Sequence, residues 1–228
     1  MDVDSCPDLL IMGDSHTAAL ELAMREEGFS TALLYINGNH WHAGGFAYDA
    51  ANGLNRPGSG YIKRRIARAR AEMGGVMFRE DRVVLASIGY HLGRLCPGML
   101  RRGHTVDMAA FDANPEASFI SDGMMEAMIA AQRRPLWDML AAIAKECVLV
   151  VVAPPILSDD ALMNKAARFI TRSLRERGVM VWDPREQAGP LGRPLADDLR
   201  AADGVHGNVA YGRAVLDEIF PPAMADVA

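Results

Sequence analysis

The sequence predicts an α/β fold built on a five-stranded parallel sheet, and three observations carry that prediction. Five short apolar runs recur along the 228 residues, each closed by glycine, proline or a polar turn, and helical patterning fills the intervals between most of them. No hairpin signal joins successive runs, so each connection is a crossover, which between parallel strands is right-handed. With 50% hydrophobic residues and no long polar tract, the chain is long enough for one well-buried domain and short for two. The expected architecture is a flavodoxin-like three-layer α/β/α sandwich over residues 1–228 as a single domain. Its ligand site should lie at the carboxyl ends of the strands, beside the first one.

The first run, Leu9-Leu10-Ile11-Met12, ends in Gly13-Asp14-Ser15-His16-Thr17, which reads as strand, tight turn and helix. Ala19, Leu20, Ala23 and Met24 fall at helical spacing between Thr17 and Glu27, and Gly28 closes that helix. Residues 30–36 are the second strand. The turn-rich stretch that follows, from about 37 to 60, is expected to stay irregular, and loops of that length are disproportionately functional. A basic helix over 61–73 sets Ile62, Ile66, Ala69 and Met73 on one face, and its arginines form a solvated face. Residues 82–88 are nearly all apolar, as a central parallel strand covered on both faces requires. A second irregular segment, about 90–121, is expected to act as a lid or to shape a substrate pocket. Helical patterning resumes over 122–145, where Pro135 should split the helix because it cannot donate within it. The fourth strand, 147–153, stops at Pro154-Pro155. A helix over 159–177, a short strand over 179–182, a polar linker and a last helix from near Asn208 complete the chain.

A formal charge of −5 and a pI near 5.7 disfavour a nucleic-acid groove or an anionic membrane surface, both of which need excess lysine and arginine. A neutral or modestly charged small molecule fits better. Cys6, Cys96 and Cys147 are an odd set without CxxC spacing, so neither a disulfide framework nor a zinc site is indicated, and no cofactor motif is present. The start Met1-Asp2-Val3-Asp4 lacks the basic and apolar regions of a signal peptide, and no apolar run reaches membrane-spanning length, so a cytoplasmic location is expected.

Ser15 is the candidate nucleophile. At the end of a strand and the start of a helix, its hydroxyl sits among backbone N–H groups free to bind a developing anion. A serine hydroxyl is a weak nucleophile and needs a base, ideally one oriented by a carboxylate. The far end supplies both in Asp203-Gly204-Val205-His206, where the spacing sets the carboxylate beside the imidazole within one turn. The bland alternative for Ser15 is a helix N-cap.

In these two segments the chain resembles the SGNH (GDSL-like) esterase and acyltransferase superfamily: Gly13-Asp14-Ser15 matches its first block and Asp203-x-x-His206 its last. The resemblance implies Ser15 as nucleophile, His206 as base and Asp203 as its partner, with hydrolysis or transfer of an acyl group as the activity. It also implies three oxyanion donors: the Ser15 N–H, a glycine N–H after the second strand, and an asparagine side chain after the third. For the glycine, Gly38 and Gly45 qualify equally. For the asparagine the chain departs from the pattern, with Gly89-Tyr90-His91 where the family has glycine, any residue, asparagine. Either His91 donates in its place, or Asn39 supplies the amide, or the hole is incomplete. His16, read as structural rather than catalytic, looks like the form found in members that modify O-acyl groups on polysaccharides, which brings in an O-acetyl on a carbohydrate as a substrate class.

Two other classes compete. A metallophosphoesterase would use Asp14-Ser15-His16 as a D-x-H motif and Gly38-Asn39-His40 as its GNH, with His42, His91 or His206 as further ligands, but no GDxxD block lies between them. A non-catalytic binding protein of the same fold is the other. Asp159-Asp160 and Asp197-Asp198 read as solvated charges, not as a paired-carboxylate site.

Overall fold

The computed structural model describes residue 7 and residues 9–221, so Cys6 and the first four residues lie outside the described residues. Strand β1 (Leu9–Gly13) leads into α1 (Thr17–Glu26) and β2 (Thr31–Tyr35). The segment after β2 holds a short helix, α2 (Gly38–Ala43), and an antiparallel ribbon of β3 (Ala47–Asp49) and β4 (Gly53–Asn55). Helix α3 (Gly60–Glu72) returns the chain to β5 (Val83–Ser87). Next come α4 (Leu92–Leu95), α5 (Pro97–Leu100), β6 (His104–Thr105), α6 (Met108–Ala113) and β7 (Ser118–Phe119), all short. The long helix α7 (Asp122–Ile143), β8 (Val148–Val152), α8 (Ala161–Arg175), β9 (Met180–Trp182) and α9 (Val209–Ile219) finish the fold.

The five expected runs are the five strands of one parallel sheet, in the order β2-β1-β5-β8-β9. This is the doubly wound order in which the chain reverses direction across the sheet beside β1, opening a crevice at the carboxyl ends of β1 and β5. Alternation along β1 shows the layers. Leu10 and Met12 join the core under α3, α7 and α8, while Leu9 and Ile11 pack with α1 and α9 on the other face. Helix starts follow local chemistry: Ser59, Ser121, Asp160 and Asn208 each accept a hydrogen bond from a backbone N–H of the first turn of their helix. Gly212 decides how closely α9 meets α1, because a Cβ there would lie 2.1 Å from the Ala19 carbonyl oxygen.

Three expectations need correction. The segment 90–121 is not irregular throughout, because it holds α4, α5 and α6 and a short parallel pairing of β6 with β7. Helix α7 runs unbroken through Pro135. Pro135 and Ala131, whose carbonyl loses its partner, both face solvent, so water can satisfy that carbonyl while Arg133, Leu136 and Trp137 hold the helix to the core. The stretch 37–60 is also not irregular throughout. The ribbon turns at Asp49, whose carboxylate accepts from the Asn52 N–H at 2.7 Å, and closes through Gly53 at φ 71°. No helix among the described residues is long and apolar enough to cross a membrane.

Candidate active site

Every connection that carries a candidate residue leaves the same edge of the sheet, so the topology gathers them. Ser15 follows β1, Gly38 and Asn39 follow β2, and His91 follows β5. Pro154 and Pro155 follow β8, and Arg185 follows β9. These residues line one cleft of about 430 Å³, together with His16, Arg94, Asn164 and His206.

The far end of the chain reaches this edge through a narrow turn. The N–H of Ala201 donates to the His206 carbonyl at 2.8 Å and that of Asn208 to the Leu199 carbonyl at 2.9 Å, leaving residues 203–206 at the tip. There Asp203 Oδ1 accepts from the N–H groups of Val205 (3.0 Å) and His206 (3.1 Å), so the carboxylate is fixed by its own turn. Its other oxygen, Oδ2, lies 2.5 Å from His206 Nδ1, and His206 Nε2 lies 2.7 Å from Ser15 Oγ. This pattern assigns the proton of neutral His206 to Nδ1 and leaves Nε2 as acceptor for the serine hydroxyl. The backbone hydrogen bond from Val205, then the imidazole and the second backbone donor, hold the Asp203 carboxyl down at about 2, so it is ionised at any ordinary pH. Ser15 is not the helix cap. His16 occupies that position in α1 and makes no side-chain cap hydrogen bond.

Asp14 organises the floor. Its Oδ1 accepts from the His16 N–H at 3.1 Å, and its Oδ2 lies 3.5 Å from His91 Nε2. A Cβ on Gly38 would lie 3.0 Å from that same Oδ2, so a larger residue there requires the Asp14 carboxylate to give by a few tenths of an ångström. Burial raises the Asp14 carboxyl to about 6, against the pull of the His16 N–H and of the His206 imidazole. Burial likewise lowers His16 to about 4, and the His16 ring lies 4.6 Å from that of His206.

His91, one of the three alternatives for the last oxyanion donor, lines the cleft at the start of α4. It adopts a left-handed conformation (φ 48°, ψ 44°), and both of its ring nitrogens are buried without a hydrogen-bond partner. Neither nitrogen faces the open cleft, so in this arrangement His91 does not offer a donor to a bound oxyanion. Burial, then the charge of Arg133, lowers it to about 3, which keeps the ring neutral. Asn39 is exposed in the cleft, next to Gly38 in the first turn of α2, where backbone N–H groups have no acceptor within the helix. Gly45 is not among the lining residues. It lies beyond the far end of α2, near Arg56. His40 sits beside Tyr61, and no group of three His, Cys, Asp or Glu among the described residues is arranged to hold a metal ion.

The sequence reading did not single out Arg94, Arg185 or Asn164. Arg94 belongs to the segment expected to shape a pocket, which was the only signal for it. Arg185 and Asn164 reach the cleft through a buried network: Tyr90 Oη to Thr171 Oγ1 at 2.7 Å, Thr171 to Asp183 at 2.5 Å, Asp183 to Arg185 at 3.2 Å, and Arg185 to Asn164 at 3.1 Å.

No family model and no curated protein matches the chain. Among solved structures it is similar to the psychrotrophic esterase EstA from Pseudoalteromonas sp., in a crystal structure inhibited by monoethylphosphonate. The identity is 14%, over 96% of this chain and 97% of that one, with a TM-score of 0.41. A likeness that distant transfers no chemistry, so function has to be argued from the site itself.

Proposed function

We propose that this chain is a serine ester hydrolase or acyltransferase of the SGNH type, acting through Ser15, His206 and Asp203. The observation that supports it is the continuous hydrogen-bonded line from Asp203 through His206 to Ser15, assembled by residues almost the whole chain apart. His206 Nε2 takes the Ser15 proton as Oγ attacks the ester carbonyl. Asp203 holds the imidazole in the productive tautomer and stabilises its cationic form. In this reading the tetrahedral oxyanion is received by the N–H groups of Ser15 and Gly38 and by the side-chain amide of Asn39, three residues that line the cleft. His206 then protonates the leaving alcohol, and water or a second alcohol takes the acyl group from Ser15 by the reverse sequence. The cleft suits a small ester, including a sugar-borne acetyl group, and its apolar wall of Val152, Pro154, Pro155 and Leu157 gives an acyl group a dry surface.

A screen of aryl esters from acetyl to decanoyl tests this. Hydrolysis by the wild type and its loss in both Ser15→Ala and His206→Ala is the expected result. Equal rates in all three proteins would contradict it, and failure of every ester and acceptor would favour a binding protein of the same fold.

A further inference from the structure

We propose that the ester taken by this site carries an anionic group, a carboxylate or a phosphate, and that Arg94 is the residue that selects it. The inference rests on the serine esterase reading and names the substrate class of the same cleft. Three observations carry it. Arg94 is exposed on the cleft wall in α4, and its guanidinium has no hydrogen-bond or ion-pair partner among the described residues. An arginine free of partners inside a concave site is free to take a bidentate anion, for which its planar fork is shaped.

Behind that wall lies a second uncompensated cation. Arg133 is 1% exposed, yet no carboxylate lies within ion-pair distance of it among the described residues. Its Nε donates to the Tyr90 carbonyl at 3.3 Å and its Nη2 to His42 Nδ1 at 2.6 Å, two neutral acceptors that leave the positive charge unbalanced. A buried charge without a counterion is costly, and an anionic ligand nearby would relieve that cost. The field of both arginines is felt at this wall: besides burial, Arg133 and then Arg94 push His42 down, and both also act on His91.

The third observation is the balance of charge across the cleft. Among the lining residues the acidic side chain is Asp14, which burial keeps partly protonated near pH 6, whereas Arg185 is matched by its own Asp183. Arg94 is therefore the lining arginine without a carboxylate partner of its own among the described residues, in a chain whose net charge is −5.

The test compares matched esters. The anionic set is p-nitrophenyl hemisuccinate, 4-acetoxybenzoate and 4-acetoxyphenyl phosphate; the neutral set is p-nitrophenyl butyrate and phenyl acetate. The wild type should show kcat/KM at least tenfold higher for one or more anionic esters than for the neutral counterpart, and which ester wins tells carboxylate from phosphate and acyl side from alcohol side. Arg94→Ala should lower that ratio at least tenfold, mainly through KM, Arg94→Lys should restore part of it, and raised NaCl should erode it. Arg134→Ala, which removes an equal charge from the exposed face of α7, should leave the ratio as in the wild type. Binding of the same compounds to Ser15→Ala by calorimetry, with and without Arg94→Ala, reads the subsite without turnover. A wild-type preference for neutral esters, or an unchanged ratio and affinity in Arg94→Ala, overturns the proposal. Hydrolysis by Ser15→Ala at the wild-type rate would overturn the serine mechanism alone, since the ratio would still report on Arg94.

Discussion

The two turns that meet at the cleft, the tip at residues 203–206 and the turn Gly89-Tyr90-His91, are built in opposite ways. The first is exposed and short-range: the Asp203 side chain is 51% exposed, and its geometry comes from N–H groups two and three residues along. The second is buried and long-range. Trp137 and Arg133 from α7 hold the carbonyls of Gly89 and Tyr90, and Thr171 from α8 holds the Tyr90 hydroxyl. A reactive group needs access and a pre-set angle, which a local turn provides at little cost to the core. A wall needs rigidity, which comes from packing and buried hydrogen bonds. Substitutions in the first turn should therefore remove activity and spare stability, and those in the second should do the reverse.

The largest expected effect is on the reactive side. Ser15→Ala and His206→Ala should each lower kcat by about 10⁶-fold and their combination by no more, because the two act as a unit, while the melting temperature stays close to that of the wild type. Asp203→Asn should cost roughly 10⁴-fold, by analogy with serine proteases, through loss of the productive tautomer. Kinetics beside thermal melts would check both, and a large stability loss in either would break the contrast.

The buried side should announce itself through pH. His16 and His91 titrate at about 4 and about 3 in the folded chain, against 6.5 for an unperturbed histidine, so the unfolded chain binds more protons in that window. Their contribution is fully present above 6.5 and is lost as pH falls toward their folded values. Asp14 works the other way. With its folded value raised to about 6 from 3.8, its contribution is present below 3.8 and is lost as pH rises through 6. At about 1.4 kcal/mol per unit, the histidines outweigh the aspartate, for a net loss on the order of 5 kcal/mol between pH 6.5 and 3. His91→Asn removes the larger of these and suits a left-handed backbone. Melting temperature against pH should fall less steeply in that variant, and an unchanged slope would mean that His91 is not the buried titrating group.

Smaller effects separate the donors from the scaffold. Asn39→Ala should lower kcat by about 10² to 10³ with little change in KM, the signature of a contact that strengthens as charge develops. His91→Ala, checked for folding, should reduce kcat much less, and the reverse order would restore His91 to the oxyanion site. Tyr90→Phe should cost about 1 to 3 kcal/mol in chemical denaturation by leaving buried Thr171 short of a partner, with kcat changed only a few-fold.

The same contrast explains what the sequence made legible. The strands were readable because each is an apolar run with its own stop, and the Asp-x-x-His pair because its geometry is closed within four residues. The fate of His91 was not, since one charge that acts on it comes from Arg133, more than forty residues away, and its backbone conformation is one that composition does not specify. Helices α4 to α6 are too short to show a hydrophobic period, and the tertiary contacts around them decide their ends. Pro135 misled because propensity says where a helix is costly but not which way the proline faces.

Covalent labelling tests the central claim most directly. Wild-type protein treated with a fluorophosphonate should gain one adduct by intact mass, mapped by peptide sequencing to Ser15, with labelling abolished in Ser15→Ala and strongly slowed in His206→Ala. An unlabelled wild type, or an adduct that persists in Ser15→Ala, would contradict the assignment of Ser15 as an activated nucleophile.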